Sequence, residues 1–315
     1  MSISQELDGM ISEITNDLLS GAAEHALRAV NIFRHSLTDE TAGTDRSFPA
    51  RKAELIEIAQ KLNHGHPEMA PIFNLSNNVL FAVDRCSTNE ELVAVVGQSI
   101  TDFETRLCNS ASLIAESAIN LIPFGELVFA YSFSSTVVSA LLNARTNLRS
   151  FRVICTESRP SMEGRKLATM LASSGVEVVH SFDSAMGLFL PNCRVAFMGV
   201  DCVARPGIVN KVGSWLLALA CRELNIPLYA LSGTEKIVTD DLLFSFEDAE
   251  RPGSEIWPDA PKGVHVVNRQ FELIPFSWIA GLVAEDGILK GEADIEKYVD
   301  AIKVHPQLET RAYSH

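Results

Sequence analysis

The sequence lacks the patterns that mark several common classes of protein. Its six cysteines form no Cys-x-x-Cys pair, and His64, His66 and His180 have no i, i+4 partner, so we expect reduced core thiols and no metal site. No apolar run approaches the ~20 residues needed to span a bilayer. A P-loop NTPase is set aside because GxxxxGK(S/T) does not occur, and no GxGxxG follows the first predicted strand. We therefore predict neither a metal nor an organic cofactor.

The chain also lacks an excess of positive charge. Its 26 lysines and arginines stand against 40 acidic residues, which gives a formal net charge of −14. Nucleic acids and anionic membranes bind basic faces, so we expect neither as a partner. A local cationic pocket for a small phosphate is compatible with this balance, because net charge does not describe a single site. The amino terminus, MSISQELDGM, is acidic rather than apolar, and we predict a cytoplasmic protein.

A helical period runs from Ile3 to about Ile122. Ser87 and Thr88 each stand three residues before a glutamate, which is the pattern of a capping box and predicts a long amphipathic helix from near Thr88. A helix of that length seldom stands alone, so we expect it to pack across a second domain or a partner subunit. We predict a helical domain over residues 1–122 and a homo-oligomer, at least a dimer.

After Pro123 and Gly125 the period changes, and short apolar runs alternate with helical segments. The alternation predicts an α/β domain over residues 123–315, with a doubly wound, mostly parallel sheet and helices on both faces. Strands are predicted at Leu127–Ser132, Arg152–Thr156, Val176–His180, Arg194–Met198, Pro227–Leu231 and Val264–Val267. Helices are predicted at Thr136–Ala144, Met162–Ser173, Ser184–Phe189 and Val212–Leu224.

The stretch Arg194–Gly213 carries the strongest functional signal. Its apolar strand stops at Gly199 and places Asp201 just past the strand end. Asn210 and Lys211 are predicted to open the next helix. Open α/β sheets bind ligands outside the carboxyl ends of their strands, so polar groups at the other strand ends should converge on Asp201. Hydroxyls, basic groups and helix amino termini suit a phosphate, and carboxylates suit acid–base work. These groups are Ser132, Ser134, Ser135, Glu157, Arg159, Asp183 and Lys236.

Several of these residues also have a structural interpretation. Ser134 and its neighbours are typical helix N-caps, and Asp183 is expected to cap a helix that starts at Ser184. Glu157 and Arg159 are equally compatible with an ion pair to each other. An unrelated hydrolase that uses Ser132 as its nucleophile is disfavoured, because the pattern places no histidine near it.

Five motifs, in order along the chain, resemble one protein superfamily. It contains the regulatory α, β and δ subunits of translation initiation factor 2B, methylthioribose-1-phosphate isomerase and archaeal ribose-1,5-bisphosphate isomerase. The resemblance covers most of the chain and implies a helical amino-terminal domain followed by an α/β domain. The motifs are GAAEHALRA (21–29), TESRPSMEGRKLA (156–168), DSAMG (183–187), MGVDCVARPGIVNKVG (198–213) and FELIPFSWIAGLVAEDGIL (271–289).

The resemblance also implies roles for individual residues. In the isomerases an aldose 1-phosphate opens and becomes a ketose 1-phosphate, with an aspartate and a cysteine as the acid–base pair. Asp201 falls on the aspartate, whereas Ser132 falls on the cysteine. Two arginines of the isomerase phosphate loops are replaced here by Ser20 and His66. The resemblance assigns the anion contacts to the glycine loop at Gly21, the Ser134–Ser135 turn, Glu157, Arg159, Asn210 and Lys211, and the strand-end pattern adds Lys236.

Two functions are compatible with these observations. The first is a phosphorylated-sugar site with aldose–ketose isomerase activity on a ribose-1-phosphate-type substrate. It follows from the convergent strand ends. The second is a non-catalytic regulatory or assembly subunit that senses a sugar phosphate or a nucleoside monophosphate. It follows from Ser132 and the missing arginines, because a serine hydroxyl does not exchange a proton at neutral pH without a strong neighbouring base.

Overall fold

The computed structural model describes residues 3–17, 21–38, 47–66, 69–242 and 250–308. The chain divides into two compact units. The first comprises Met1–Cys108 together with Ile302–His315, and the second comprises Asn109–Ala301. No helix in the described ranges is both long and apolar enough to cross a bilayer.

The first unit is helical, as predicted. Its apolar faces bury a shared core that includes Phe33, Leu55, Ile58, Ile72 and Leu80. The carboxyl-terminal segment joins this unit through Asn77, whose side chain bonds the Lys303 carbonyl and the His305 amide, both at 2.8 Å. The helices are α1 (Gln5–Asn16), α2 (Ala22–Thr38), α3 (Phe48–Gly65) and α4 (Ala70–Val83).

The predicted helix start near Thr88 is confirmed. Thr88 Oγ1 accepts the Glu91 amide at 3.2 Å, and Glu91 Oε2 accepts the Ser87 amide at 2.6 Å. These bonds satisfy amide groups that have no partner within the first helical turn. The helix consists of α5 (Asn89–Glu91), a π-helical segment (Leu92–Val96), α6 (Gly97–Ala118) and a 3₁₀ turn (Ile119–Leu121).

The second unit is built on a seven-stranded sheet in the order β10-β9-β7-β4-β1-β2-β3, which confirms the α/β prediction. Every pair in it is parallel except β9 with β10. Strands β2 and β3 lie on one side of β1, and the next strand in this sheet, β4, lies on the other side. The topological switch point is therefore between β1 and β4. The strands are β1 (Leu127–Tyr131), β2 (Arg152–Thr156), β3 (Glu177–Ser181), β4 (Cys193–Met198), β7 (Leu228–Leu231), β9 (Gly281–Ala284) and β10 (Gly287–Leu289).

Helices pack against this sheet through a continuous apolar core that includes Val128, Leu141, Val153, Leu167 and Phe197. Four of them lie close to their predicted positions, the third preceded by a short 3₁₀ turn. The helices are α7 (Ser135–Thr146), α8 (Glu163–Ser173), α9 (Met186–Phe189), α10 (Ser214–Glu223) and α11 (Glu292–Ala301).

The strand predicted at Val264–Val267 is wrong. The segment is not a strand, and Val264 and Val267 are about half exposed, at 47% and 52%. The sheet position beside β7 is taken by β9 instead. High β-propensity does not make a strand without a neighbouring strand to pair with.

The placement of Asn210 and Lys211 at a helix start is also wrong. Both lie in β6 (Gly207–Lys211), the central strand of a small antiparallel sheet with β5 (Cys202–Ala204) and β8 (Phe271–Ile274). Pro206 lies in the turn between β5 and β6, and proline is a common turn residue. The chain therefore turns back as a hairpin before helix α10 begins at Ser214.

Candidate functional site

Ser132 lies directly after β1, at the switch point of the sheet. Its φ is +60°, an uncommon conformation for a residue other than glycine, and the residue is buried. Its hydroxyl donates a hydrogen bond to Glu163 Oε2 at 2.6 Å. Ser132 thus faces a carboxylate that is the first residue of helix α8.

Glu163 also joins β1 to the small sheet. Its second oxygen, Oε1, lies 3.0 Å from Lys211 Nζ. Lys211 is buried, at 5% exposure, and its ammonium donates further hydrogen bonds to Gln270 Oε1 at 2.8 Å and to Ser161 Oγ at 3.2 Å. A buried lysine needs such partners, because an unpaired charge away from water is costly. We refer to Ser132, Glu163 and Lys211 as the Glu163 network.

Asp201 lies just past the end of β4, in the loop before β5, on the other side of the switch point. Its amide is anchored to the Val209 carbonyl at 2.9 Å. The pKa of the carboxyl group is raised to about 6, chiefly by burial; Glu163 adds to this effect, and the ammonium groups of Lys236 and Lys211 oppose it. A carboxyl with this pKa can give and take a proton near neutral pH.

Lys236 supplies a second cation beside Asp201. Its ammonium donates to the Val200 carbonyl at 2.6 Å, which holds it against the loop that carries Asp201. Asp201, Lys236 and the Glu163 network therefore lie within electrostatic reach of one another. The predicted convergence of strand ends is seen for these residues.

The amino terminus of α7 lies at the same edge of the sheet. A Cβ atom added to Gly199, at the end of β4, would lie 2.6 Å from Ser134 Cβ, so this strand end and the helix start are in close approach. Ser134 caps α7 by accepting the Val137 amide at 3.4 Å, and Ser135 is the exposed first residue of the helix. The positive end of the helix dipole favours an anion at this position.

We expect Ser134→Ala to lower the free energy of unfolding by about 1 kcal/mol, because the substitution removes the cap. Ser135→Ala is the matched control and should change it by less than ~0.5 kcal/mol. Urea unfolding of the two variants would measure both effects. Equal values for the two variants would show that Ser134 has no capping role.

The ion pair between Glu157 and Arg159 that the sequence left open is not formed. Glu157 pairs with Arg165, not with Arg159. Asp183 does not cap the helical turn that it begins. Its carboxylate instead accepts the amides of Ser158 at 2.8 Å and Arg159 at 2.9 Å, and Ser158 itself has a φ of +56°. The Arg159 side chain is exposed, and within the described residues no hydrogen bond or ion pair joins it to Ser132, Asp201 or Lys211.

Asn210 has a structural partner in the small sheet. Its Nδ2 donates to Ser214 Oγ at 2.8 Å, and that hydroxyl donates to the Lys211 carbonyl at 2.7 Å. The amide side chain is therefore tied to the start of α10.

The remaining predicted residues belong to the first unit. Gly21 is exposed and directly precedes α2, and its assignment to a phosphate loop stays a prediction. Ser20 lies outside the described residues. His66 is buried, with Nε2 2.8 Å from the Ile14 carbonyl.

Three site residues were not anticipated from the sequence. Glu163 could have been suspected as an acidic residue at a helix start inside the 156–168 motif. Gln270 and Glu272 gave no local signal, because they reach the site from a distant part of the chain. Glu272 accepts the amides of Gly213 at 2.7 Å and Trp215 at 2.6 Å and so caps α10. Burial raises its pKa, an effect that these two bonds oppose.

Known proteins are similar to this chain in both sequence and fold. The chain is 32% identical over 245 residues to a Pyrococcus abyssi protein named as translation initiation factor eIF-2B subunit 2-like, covering 76% of this chain and 82% of that one. It is 23% identical over 254 residues to ribose 1,5-bisphosphate isomerase of Methanocaldococcus jannaschii, covering 78% and 81%. The crystal structure of translation initiation factor eIF-2B from Pyrococcus horikoshii OT3 superposes with a TM-score of 0.77 at 27% identity, covering 93% of this chain and all of that one.

The family assignment follows from the extent of the match. Residues 18–291 match the Initiation factor 2 subunit family (IF-2B), which spans both the helical first unit and the α/β second unit. The motifs quoted above lie within this range. The protein therefore belongs to the initiation factor 2 subunit family.

Proposed function

We propose that the chain binds a phosphorylated sugar at the switch point of its sheet and isomerises a ribose-1-phosphate-type aldose to the ketose. The main observation behind this proposal is the pKa of Asp201, which is raised to about 6. The carboxyl group lies within electrostatic reach of Lys236 and of the Glu163 network. A group that titrates near neutral pH at a strand end is suited to general acid–base catalysis.

The surroundings of Asp201 support a phosphate ligand. Lys211 and Lys236 provide positive charge, and α7 directs its amino terminus to the same edge. We assign the exposed Arg159 guanidinium to the phosphate as well, because guanidinium binds phosphate through two parallel hydrogen bonds. The similarity to a ribose 1,5-bisphosphate isomerase supports the same class of substrate.

A regulatory or assembly subunit is the second candidate. It is favoured by Ser132, which replaces the cysteine that the isomerase resemblance implies, and by the similarity to an eIF-2B subunit 2-like protein. In this case the same site senses a sugar phosphate or a nucleoside monophosphate without turnover. For both candidates we propose a cytoplasmic homo-oligomer.

Turnover separates the two candidates. The purified protein is incubated with ribose 1,5-bisphosphate, methylthioribose 1-phosphate and related pentose 1-phosphates, and ketose formation is followed by ³¹P and ¹³C NMR. We expect a ketose phosphate from at least one of them. Thermal unfolding with the same sugar phosphates and with nucleoside monophosphates measures binding independently. Stabilisation without product would support the second candidate, and neither stabilisation nor product would contradict both.

A further inference from the structure

We propose that Glu163, acting through the hydroxyl of Ser132, accepts the proton removed from C2 of the sugar and returns it to C1. The assignment rests on the proposed isomerase activity and deepens it. It identifies the second half of the acid–base pair.

The contact between Ser132 and Glu163 has the geometry of a proton relay. At 2.6 Å, the bond from Ser132 Oγ to Glu163 Oε2 is in the short range typical of a hydroxyl donating to a carboxylate. The other carboxylate oxygen is held 3.0 Å from Lys211 Nζ, which fixes its orientation and balances its charge. Ser132 itself is held at φ +60°, and such backbone conformations cluster at functional sites.

This contact supplies the base that a serine requires. A thiol near pKa ~8.5 can ionise by itself close to neutral pH, whereas a serine hydroxyl needs an adjacent base. Glu163 is an adjacent base within hydrogen-bond distance. The hydroxyl and the carboxylate together can thus do the work of the single cysteine implied by the resemblance.

The proton transfers balance over one turnover. Protonated Asp201 gives its proton to the ring oxygen as the C1–O bond to it breaks. Ser132 Oγ then takes the proton from C2 while its own proton passes to Glu163 Oε2, and the C2–H electron pair forms the C1=C2 bond. In the second half, the proton returns from Glu163 through Ser132 to C1. The Asp201 carboxylate takes the C2 hydroxyl proton, which leaves a C2 ketone and restores all three groups.

Several charged groups bear on the pH dependence of this step. Lys211 of β6 contacts Glu163 directly, and Asp201, after β4, and Tyr131 of β1 interact with it through space. Lys236 acts on Asp201. The pH profile of a variant must therefore be compared with that of the wild type rather than assigned to one residue.

The test uses Glu163→Gln, Ser132→Cys and the double variant, assayed for kcat and KM between pH 6 and 9 on the sugar phosphate that the wild type converts. We expect Glu163→Gln to lower kcat at least ~100-fold with KM changed less than about threefold, because the amide cannot accept the proton. In the double variant the thiol carries its own ionisation, so kcat should recover at least ~10-fold and rise with pH towards the thiol pKa. A purely structural role of Glu163 would not be rescued by a thiol at position 132.

Glu177→Gln is the matched control, because Glu177 is exposed at the start of β3 and lies outside the site. It should keep wild-type kcat. Should Glu163→Gln fail to fold, Glu163→Asp withdraws the carboxylate without removing its charge and should still lower kcat at least ~10-fold. The inference is overturned if Glu163→Gln stays within threefold of the wild type or if the double variant is no faster than Glu163→Gln. Absence of turnover in the wild type overturns the isomerase proposal and this inference together, and it is recognised before any variant is made.

Discussion

Asp201→Asn should abolish the proposed isomerisation and should gain stability relative to the wild type as the pH rises from about 4 to about 8. Turnover is expected to fall at least ~1,000-fold, because the amide can neither protonate the ring oxygen nor accept the C2 hydroxyl proton. The gain in stability follows from the raised pKa of Asp201, from an ordinary 3.8 to about 6. Such a carboxyl group binds its proton more tightly in the folded state, so its contribution to stability is present below pH ~4 and is lost as the pH rises through 6.

The asparagine variant does not undergo this loss. The difference in unfolding free energy between variant and wild type should therefore open between pH 4 and 6 and reach about 1–3 kcal/mol by pH 8. Urea unfolding at pH 5 and pH 8 measures it, with Asp259→Asn, an exposed aspartate of the same unit, as the control that should show no such change. A stability difference that does not shift in favour of Asp201→Asn between pH 5 and pH 8 would contradict a raised pKa, and a variant with wild-type kcat would contradict the role of Asp201.

Gly164→Ala should destabilise the second unit strongly and disable the site with it. A Cβ atom at this position would lie 1.6 Å from the Thr156 carbonyl oxygen and 2.8 Å from the Thr156 carbonyl carbon. Both are backbone atoms of β2, so the clash cannot be relieved by a side-chain rotation. We expect a loss of about 3 kcal/mol or more and a melting temperature lower by roughly 6–12 °C. Helix α8 would have to shift away from the strand, and Glu163, the preceding residue, would leave Ser132.

Gly187→Ala offers a matched control within the same unit. An added Cβ there meets nothing within 4 Å, and the residue lies in helix α9. Its melting temperature should be unchanged or slightly raised, since alanine favours a helix over glycine. Calorimetry on the two variants, together with their kcat, would check the prediction. If Gly164→Ala melted like the wild type, the close approach of α8 to β2 would be wrong.

Strands β1, β2 and β4 could be predicted because each is a short, largely buried apolar run. Arg152–Thr156 has the predicted bounds, and Asp201 lies past its strand as expected. The errors concern strands whose burial depends on a distant partner. Val264–Val267 has the composition of a strand but no neighbour to pair with, whereas Gly281–Ala284 contains a glycine and becomes a strand only because β7 lies beside it.

The same distinction, between local patterns and contacts with distant residues, explains which residues of the candidate site could be predicted. Ser132 and Asp201 are recognised at strand ends, which is a local property of the chain. The partner of Ser132 is 31 residues away and is brought to it only by the packing of α8 on β2. The sequence pattern also attributed Lys211 to a helix, because a turn at Pro206 and a three-residue strand, β5, are too short to show a period.

The small sheet has a consequence for the newly made protein. Lys211 and its acceptor Gln270 are 59 residues apart, and β8 follows Gln270 directly. A nascent chain therefore presents β6 with one open edge and Lys211 without this acceptor until Gln270 and β8 have emerged from the ribosome. A chain truncated before Gln270 would keep that edge available to other chains, which is a recognised route to aggregation. The Lys211–Gln270 contact and the protection of the edge strand thus arise at the same stage of synthesis.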